Sequence, residues 1–373
     1  MRKCVLFGIV FVTLGMGAAF ADTHVSKLSL QDQTAEQKME ALSFYGEQTG
    51  NPTVYPNVKR WVDPFITAEF TYWQVLPRGV GYFRNGQRKA PNTTLSQGSI
   101  SRIGYHWEPG FKLALGGILP HGGWDILTRY TYVNTTISDA SSDFVQGGQP
   151  SFVVNPGNGQ SADLRTPIRG KGYFHSRLNA MDLELGRKFF NHRFLALRFF
   201  TGIKGTWISM NDRFTYNADP NISNSDLTID GNPVEGPVVI KNKSYTWGVG
   251  PRVGLEGNWY FIQCLSIFAR FSMGPIYTNV DAHAKVTFYD GSNPSTTVIN
   301  IKNNNVDAIE TLSEIQLGLE GEWWLYNQTY KIAARVLYEV QQWGGGYTTV
   351  NGTQINTESI SMHGLTTGLS FFF

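Results

Sequence analysis

Charged residues recur along this chain in one phase of an alternating pattern, and any chemistry the chain performs would have to reside there. Glu69, Lys112, Arg129, Asp182, Glu184, Arg198, Lys204, Arg252, Glu256, Arg270, Glu314, Glu320, Arg335 and Glu339 are almost all flanked by apolar or small residues, and Asp125 and Lys331 share their phase. Acids and bases are nearly balanced, which leaves two arrangements open. They pair across a narrow space and hold its walls together, or they line a water-filled conduit and set its ion preference. In the second arrangement Lys112, Arg129, Arg198, Lys204, Arg252, Arg270 and Arg335 would form a positive wall facing an acidic one of Glu69, Asp182, Glu184, Glu256, Glu314 and Glu320.

Residues two apart share a face only on an extended backbone, so these positions require strands. From Trp61 onward the required alternation is present. Ile66, Ala68, Phe70 and Tyr72 oppose Thr67, Glu69 and Thr71; Met181, Leu183 and Leu185 oppose Asp182 and Glu184; Val249, Val253 and Leu255 oppose Arg252 and Glu256. Similar segments surround Lys112, Arg129, Arg198, Arg270, Glu314 and Arg335, and the chain closes on Leu365, Leu369, Phe371 and Phe373 alternating with small or polar residues. Each segment can supply the roughly 9–11 residues that a tilted strand needs to cross a bilayer. A Lys or Arg facing lipid at mid-bilayer costs about 2–4 kcal/mol, so a slip of one residue is penalised in every charged segment. Arg187 and His363 are the exceptions to the phase.

The pattern predicts an all-β fold: a transmembrane antiparallel β-barrel of about ten strands, within a range of about ten to twelve. Tight turns fall near Pro120–Gly123, Asn191–Arg193, Phe261–Gln263 and Asn327–Thr329, and long polar loops near 77–104, 136–174, 209–244, 275–307 and 344–357. Short periplasmic turns and longer outer loops are the expected asymmetry, and an even strand number puts both ends of the barrel on the short-turn side. Trp124, Trp259 and Trp323 fall beside short turns, while Trp73, Trp207, Trp247 and Trp343 fall toward long loops, giving two expected membrane-interface belts. The aromatic share of 14 % and the 40 glycines suit such a barrel. The mean hydropathy of −0.22 does not oppose it, because alternation hides apolar content.

Residues 1–21 read as an export signal, with Arg2 and Lys3, an apolar run from Val5 to Leu14, and Ala19-Phe20-Ala21 at the cleavage site. Residues 22–60 read as a periplasmic or plug segment carrying a short amphipathic helix over Thr34–Tyr45, and residues 61–373 as the barrel. Cys4 leaves with the signal, so Cys264 has no partner for an intramolecular disulfide or a cysteine-built metal site, and it reads as an inert turn residue.

Three stretches carry a family resemblance: Pro64-Phe65-Ile66-Thr67-Ala68-Glu69-Phe70-Thr71-Tyr72-Trp73, Trp107-Glu108-Pro109-Gly110-Phe111-Lys112, and His121-Gly122-Gly123-Trp124-Asp125. They resemble the pore-forming major-outer-membrane-protein-like (MOMP-like) family of chlamydia-type and legionella-type bacteria, over about Trp61 to Phe373. The resemblance implies a surface-exposed porin of the outer membrane with a part in contact with host cells. The terminal Leu365, Leu369, Phe371 and Phe373 strand resembles the assembly signal by which such barrels are inserted. The lone Cys264 departs from the cysteine-rich chlamydial protein and puts a disulfide-linked lattice in doubt.

Enzyme arrangements are poorly represented. Outer-membrane proteases of this strand number need an Asp-Asp pair facing an Asp-His pair to activate water. No Asp-Asp dipeptide occurs, and Asp281 and His283 lie in an expected outer loop without a second acidic pair. His175, Ser176 and Asn179 hold a base, a nucleophile and an amide, yet adjacent strand residues point to opposite faces. Gly344-Gly345-Gly346 reads as a flexible loop and not a phosphate cradle, and Ser138–Asp143 as a solvated loop before a calcium site. No cofactor, metal or catalytic activity is expected, and a net charge of +2 gives no reason to expect nucleic acid. The expected function is a passive diffusion channel for small hydrophilic solutes or ions; the alternative is a closed barrel serving as an adhesin or structural surface component. Expected partners are outer-membrane lipids and lipopolysaccharide, the barrel assembly machinery, small solutes and the host-cell surface.

Overall fold

The computed structural model describes residues 61–77, 81–87, 97–104, 106–120, 123–140, 149–150, 168–192, 194–218, 228–229, 232–262, 264–290, 293–325, 330–351 and 354–373. The export signal, segment 22–60 with its expected helix, and residues 141–143 of the candidate calcium loop lie outside the described residues.

Ten long strands build one closed antiparallel barrel. They are β1 (Asp63–Pro77), β2 (Trp107–Ile118), β3 (Trp124–Ala140), β4 (Ile168–His192) and β5 (Leu195–Ala218). The second half comprises β6 (Asn232–Ile262), β7 (Leu265–Asp290), β8 (Asn293–Leu325), β9 (Tyr330–Asn351) and β10 (Gln354–Phe372). Each strand pairs with its sequence neighbours, and β10 returns to β1 in a ladder from Phe65↔Phe372 to Pro77↔Ile360. Closure leaves no sheet edge exposed to lipid, which is the condition for a sheet to span a membrane. Phe373 continues the seam, its amide donating to the Pro64 carbonyl at 3.1 Å. At the base of the first short turn the Leu119 amide donates to the Trp124 carbonyl at 2.8 Å, and Gly123 takes φ 70°, where a side chain would be strained; the expected turn at Asn327–Thr329 lies outside the described residues.

The strands obey one polarity rule near the periplasm and the opposite rule further out. In the lower part, Ile66, Phe70, Leu113, Leu115, Leu183, Ile203, Val253, Leu317 and Leu369 face outward and are exposed, while the charged phase is buried inside. On β6 this zone runs from Trp259 to Trp247, about 30 Å of height at about 3.4 Å per residue and a tilt of about 40°. That matches the hydrocarbon thickness of a bilayer, about 30 Å.

Beyond Trp207 and Trp247, which pair across β5 and β6, the sense inverts. Phe174, Leu178, Ile208, Met210, Phe214, Ile240, Ile360 and Met362 now face inward and join one apolar core. Arg177, Arg213, Lys241, Lys243 and Lys285 face outward. Much of what the sequence presents as long polar loops at 136–174, 209–244, 275–307 and 344–357 is therefore strand: β7 continues to Asp290, β8 starts at Asn293, and β9 continues to Asn351. The reason is physical: above the bilayer both surroundings change, so an alternating strand puts its polar side outward to water and its apolar side inward.

Candidate functional site inside the barrel

Mid-barrel, the inward charges lie side by side and form a belt. Lys112 on β2 reaches Glu339 on β9 at 2.6 Å, although β1 and β10 stand between them. Lys204 on β5 reaches Glu314 on β8 at 2.5 Å past β6 and β7, and Asp182 at 3.2 Å. Arg252 touches Asp182 at 2.6 Å and Glu314 at 3.1 Å. Arg198 grips Asp125 through Nε and Nη2, the latter at 2.5 Å. Arg335 spans Glu320 at 3.0 Å and Glu69 at 3.7 Å, and Arg270 holds Glu256 at 3.0 Å.

Glu184 is the hub. It sits 3.9 Å from Arg129, 3.4 Å from Arg198 and 3.6 Å from Arg252, and is hydrogen-bonded by Arg270. Its side chain is fully buried. Burying a carboxylate is costly unless it is paired and hydrogen-bonded, and a hub contacting several guanidiniums meets both conditions. Phe200, also buried, lies among Arg198, Arg252 and Arg270, whose guanidinium carbons stand 5.2, 5.5 and 4.2 Å from its ring centroid. Gly186 makes room for this cluster, since a Cβ there would come within 2.5 Å of the Arg198 guanidinium.

The candidate lining residues all point inward, and the structure brings Glu69, Lys112, Arg129, Asp182, Glu184, Arg198, Lys204, Arg252, Glu256, Arg270, Glu314, Glu320, Arg335 and Glu339 together. It does not separate them into a positive and an acidic wall. Acids and bases are interleaved around the barrel, with both signs present on β3, β6 and β9, so each finds an opposite partner within reach.

Two expected interface aromatics are corrected. Trp73 and Trp343 do not face lipid; they are 0 % and 3 % exposed, inside the barrel. Trp73 shares the inward phase of Glu69 and Thr71, and it stacks beneath the Lys112 ammonium at 4.7 Å. Trp343 lies 5.5 Å from the Lys204 ammonium. Cation–ring attraction and the apolar core above the belt hold both inward. Trp124, Trp207, Trp247 and Trp259 are outward and exposed, and Trp323 is half-buried on the outward phase of β8. Leu365, Leu369 and Phe373 face outward in the seam, and Phe371 stacks on Tyr330 and meets Phe373 edge-on.

The exceptions to phase have local causes. Arg187 lies over the Trp124 ring at 5.6 Å, near the lower belt. His363 shares a hydrogen bond with the Tyr338 hydroxyl and packs edge-on to Trp107. Phe200 and Phe268 are the belt residues that sequence reasoning missed; Arg335 stands over Phe268 at 5.0 Å. Their inward phase was the available signal.

The enzyme-like residues are not assembled. His175 faces outward and bonds Thr136 at 2.9 Å, whereas Ser176 is buried on the inner face. Asp281 and His283 lie outside the barrel wall, and Asp281 accepts from the Asn305 amide at 2.9 Å. No group of His, Cys, Asp and Glu among the described residues has the arrangement of a metal site.

A closed barrel with an apolar girdle and a charged interior defines a β-barrel protein of the outer membrane. Residues 55–373 match the family described as Legionella pneumophila major outer membrane protein precursor, and the chain belongs to that family. Among solved structures it is similar to the outer membrane protease OmpT from Escherichia coli, at 11 % identity and a TM-score of 0.40, covering 83 % of this chain and 97 % of that one. It is also similar to a major outer membrane protein from Thermus thermophilus, at 10 % identity and a TM-score of 0.27, covering 83 % and 99 %. The Pseudomonas putida toluene transporter TodX is a further neighbour, at 7 % identity and a TM-score of 0.25, covering 87 % and 93 %. Likenesses this distant assign no activity. No curated protein matches the chain.

Proposed function

We propose that the protein is a surface-displayed outer-membrane barrel, closed at rest, acting as a structural and adhesive component of the cell envelope. The observation that carries this reading is the filled interior: ion pairs join non-neighbouring strands across the lumen, and a buried apolar core lies above them. The export signal at residues 1–21 would deliver the chain to the periplasm, and the terminal strand ending in Phe371 and Phe373 would be the handle for the assembly machinery.

A second reading, the narrow diffusion channel for small hydrophilic solutes, has its own support. Glu184 is shared among Arg129, Arg198, Arg252 and Arg270, so partners can exchange without leaving a charge alone. The buried Nε atoms of Arg129, Arg252, Arg270 and Arg335 lack protein partners, which suits interior water. Recording single barrels in planar bilayers separates the two. Silent membranes from correctly folded protein, with conductance steps only after Glu184→Gln loosens the belt, fit the closed barrel. Stepwise conductance of the unaltered protein would overturn it in favour of the channel.

A further inference from the structure

The outer wall of the barrel above the aromatic belt is strongly one-sided in charge. Arg213, Lys241 and Lys285 occupy one rung of the sheet, directly opposite one another on β5, β6 and β7. The next rung toward the membrane holds Asn211, Lys243, His283 and Lys302 on β5 to β8. All five Lys and Arg side chains are exposed, and no ion pair among the described residues engages them. Like charges directly opposite on adjacent strands destabilise a sheet, so an arrangement of this kind calls for an anion from outside the chain.

A cavity of about 340 Å³ opens within this face, between Ser209, Asn211, Lys243, Tyr245, Asp281, His283 and Lys302. Its acid, Asp281, is already engaged by the Asn305 amide at 2.9 Å. His283 brings a buried Nε2 that has no hydrogen-bond partner. The cavity thus offers two ammonium groups, an imidazole and neutral hydroxyl and amide donors against one carboxylate, a net positive donor set that a phosphate monoester takes.

Position selects the source of the phosphate. Lys243 and Lys241 stand four and six residues beyond Trp247 on β6, about 10–15 Å of height above the interface belt. They point sideways from the wall, toward neighbouring outer-leaflet lipids, and not upward from the rim. Just above the girdle the opposite wall lacks this character: its outward positions there include Gln74, Gln342, Ser359 and Ser361.

We propose that the β5–β8 face is a binding surface for the phosphorylated headgroup of an outer-leaflet glycolipid of the lipopolysaccharide type, with one phosphate seated between Lys243, His283 and Lys302. The barrel would be held in one rotational setting among its lipids by that contact.

The test uses the full-length barrel in nanodiscs containing lipid A, or the same lipid A with its phosphates removed. Retained glycolipid per barrel is measured for the native protein, for Lys243→Gln/Lys302→Gln, and for Arg213→Gln/Lys241→Gln/Lys285→Gln. Heat-modifiable gel migration verifies folding of each variant. Retention of phosphorylated lipid should fall about fivefold for each cation removed from the cavity, and by less per residue on the rung of Arg213, Lys241 and Lys285. Millimolar inorganic phosphate alone should compete weakly. Equal retention of the dephosphorylated lipid, or unchanged retention by both variants, would overturn the proposal. Tighter binding of a soluble sulfated polysaccharide than of lipid A would overturn it too, by assigning the face to a soluble polyanion.

Discussion

The lower and upper halves of the barrel are made of the same strands and obey opposite rules. On β4 and β6, Glu184 and Arg252 point inward while Leu183 and Val253 meet the bilayer. A few rungs higher, Phe214 points inward while Arg213 meets water. The ladder runs through without interruption, since β5 and β6 remain in register from Trp259↔Leu195 to Val238↔Tyr216. Backbone pairing is therefore indifferent to which side is greasy. The medium decides, and it decides separately at each height. The two halves also treat charge differently. Inside, each ion must find a partner because burial strips its water; outside, cations stand adjacent without a partner in the chain, and their counter-charge comes from the surroundings.

The contrast can be broken most severely at the hub. Glu184→Ala should destabilise the barrel by about 3–5 kcal/mol, because Arg129 loses its carboxylate contact and Arg198, Arg252 and Arg270 each lose one of theirs at a buried site. Urea titration of the barrel refolded in lipid vesicles measures this, and a cost below about 1 kcal/mol would mean the belt is fully hydrated. Phe214→Ala should cost about 3 kcal/mol in the same titration, as for an aromatic removed from a packed core. A near-neutral result would show that the upper interior is not a core. The sharpest form uses one strand and one substitution at two heights. Leu183→Arg should cost about 2–4 kcal/mol at mid-bilayer, whereas Tyr173→Arg, also outward on β4 but above the belt, should stay within about 0.5 kcal/mol of the native protein.

Much of the lower barrel was legible in the sequence. Glu69 between Ala68 and Phe70, or Glu184 between Leu183 and Leu185, has one inexpensive orientation in a membrane strand, so the faces follow from phase alone. The upper barrel was obscured for a related reason. Lys241-Asn242-Lys243-Ser244 looks like a polar loop when membrane strands are sought, since it alternates in exposure without an outward apolar face. Trp73 and Trp343 were misplaced because tryptophan near a strand end suggests an interface, although the inward phase of Trp73 was already fixed by Glu69 and Thr71. The pairing inside the barrel was not legible. Lys112 and Glu339 meet only once two intervening strands have set the curvature, and nothing local to either residue encodes that.

The uninterrupted ladder has a consequence for how this surface can vary. Each hairpin tip can gain or lose residues in pairs, lengthening both arms by about 3.4 Å for each residue added per strand, while every side chain below keeps its orientation. A single residue inserted within a paired arm below Phe214, by contrast, would turn Phe214 to water and Arg213 to the core unless a bulge like that between Val280 and Ala282 absorbed it. The parts seen from outside the cell can thus be raised, lowered or exchanged in even steps, like courses added to a chimney whose foundation is left untouched.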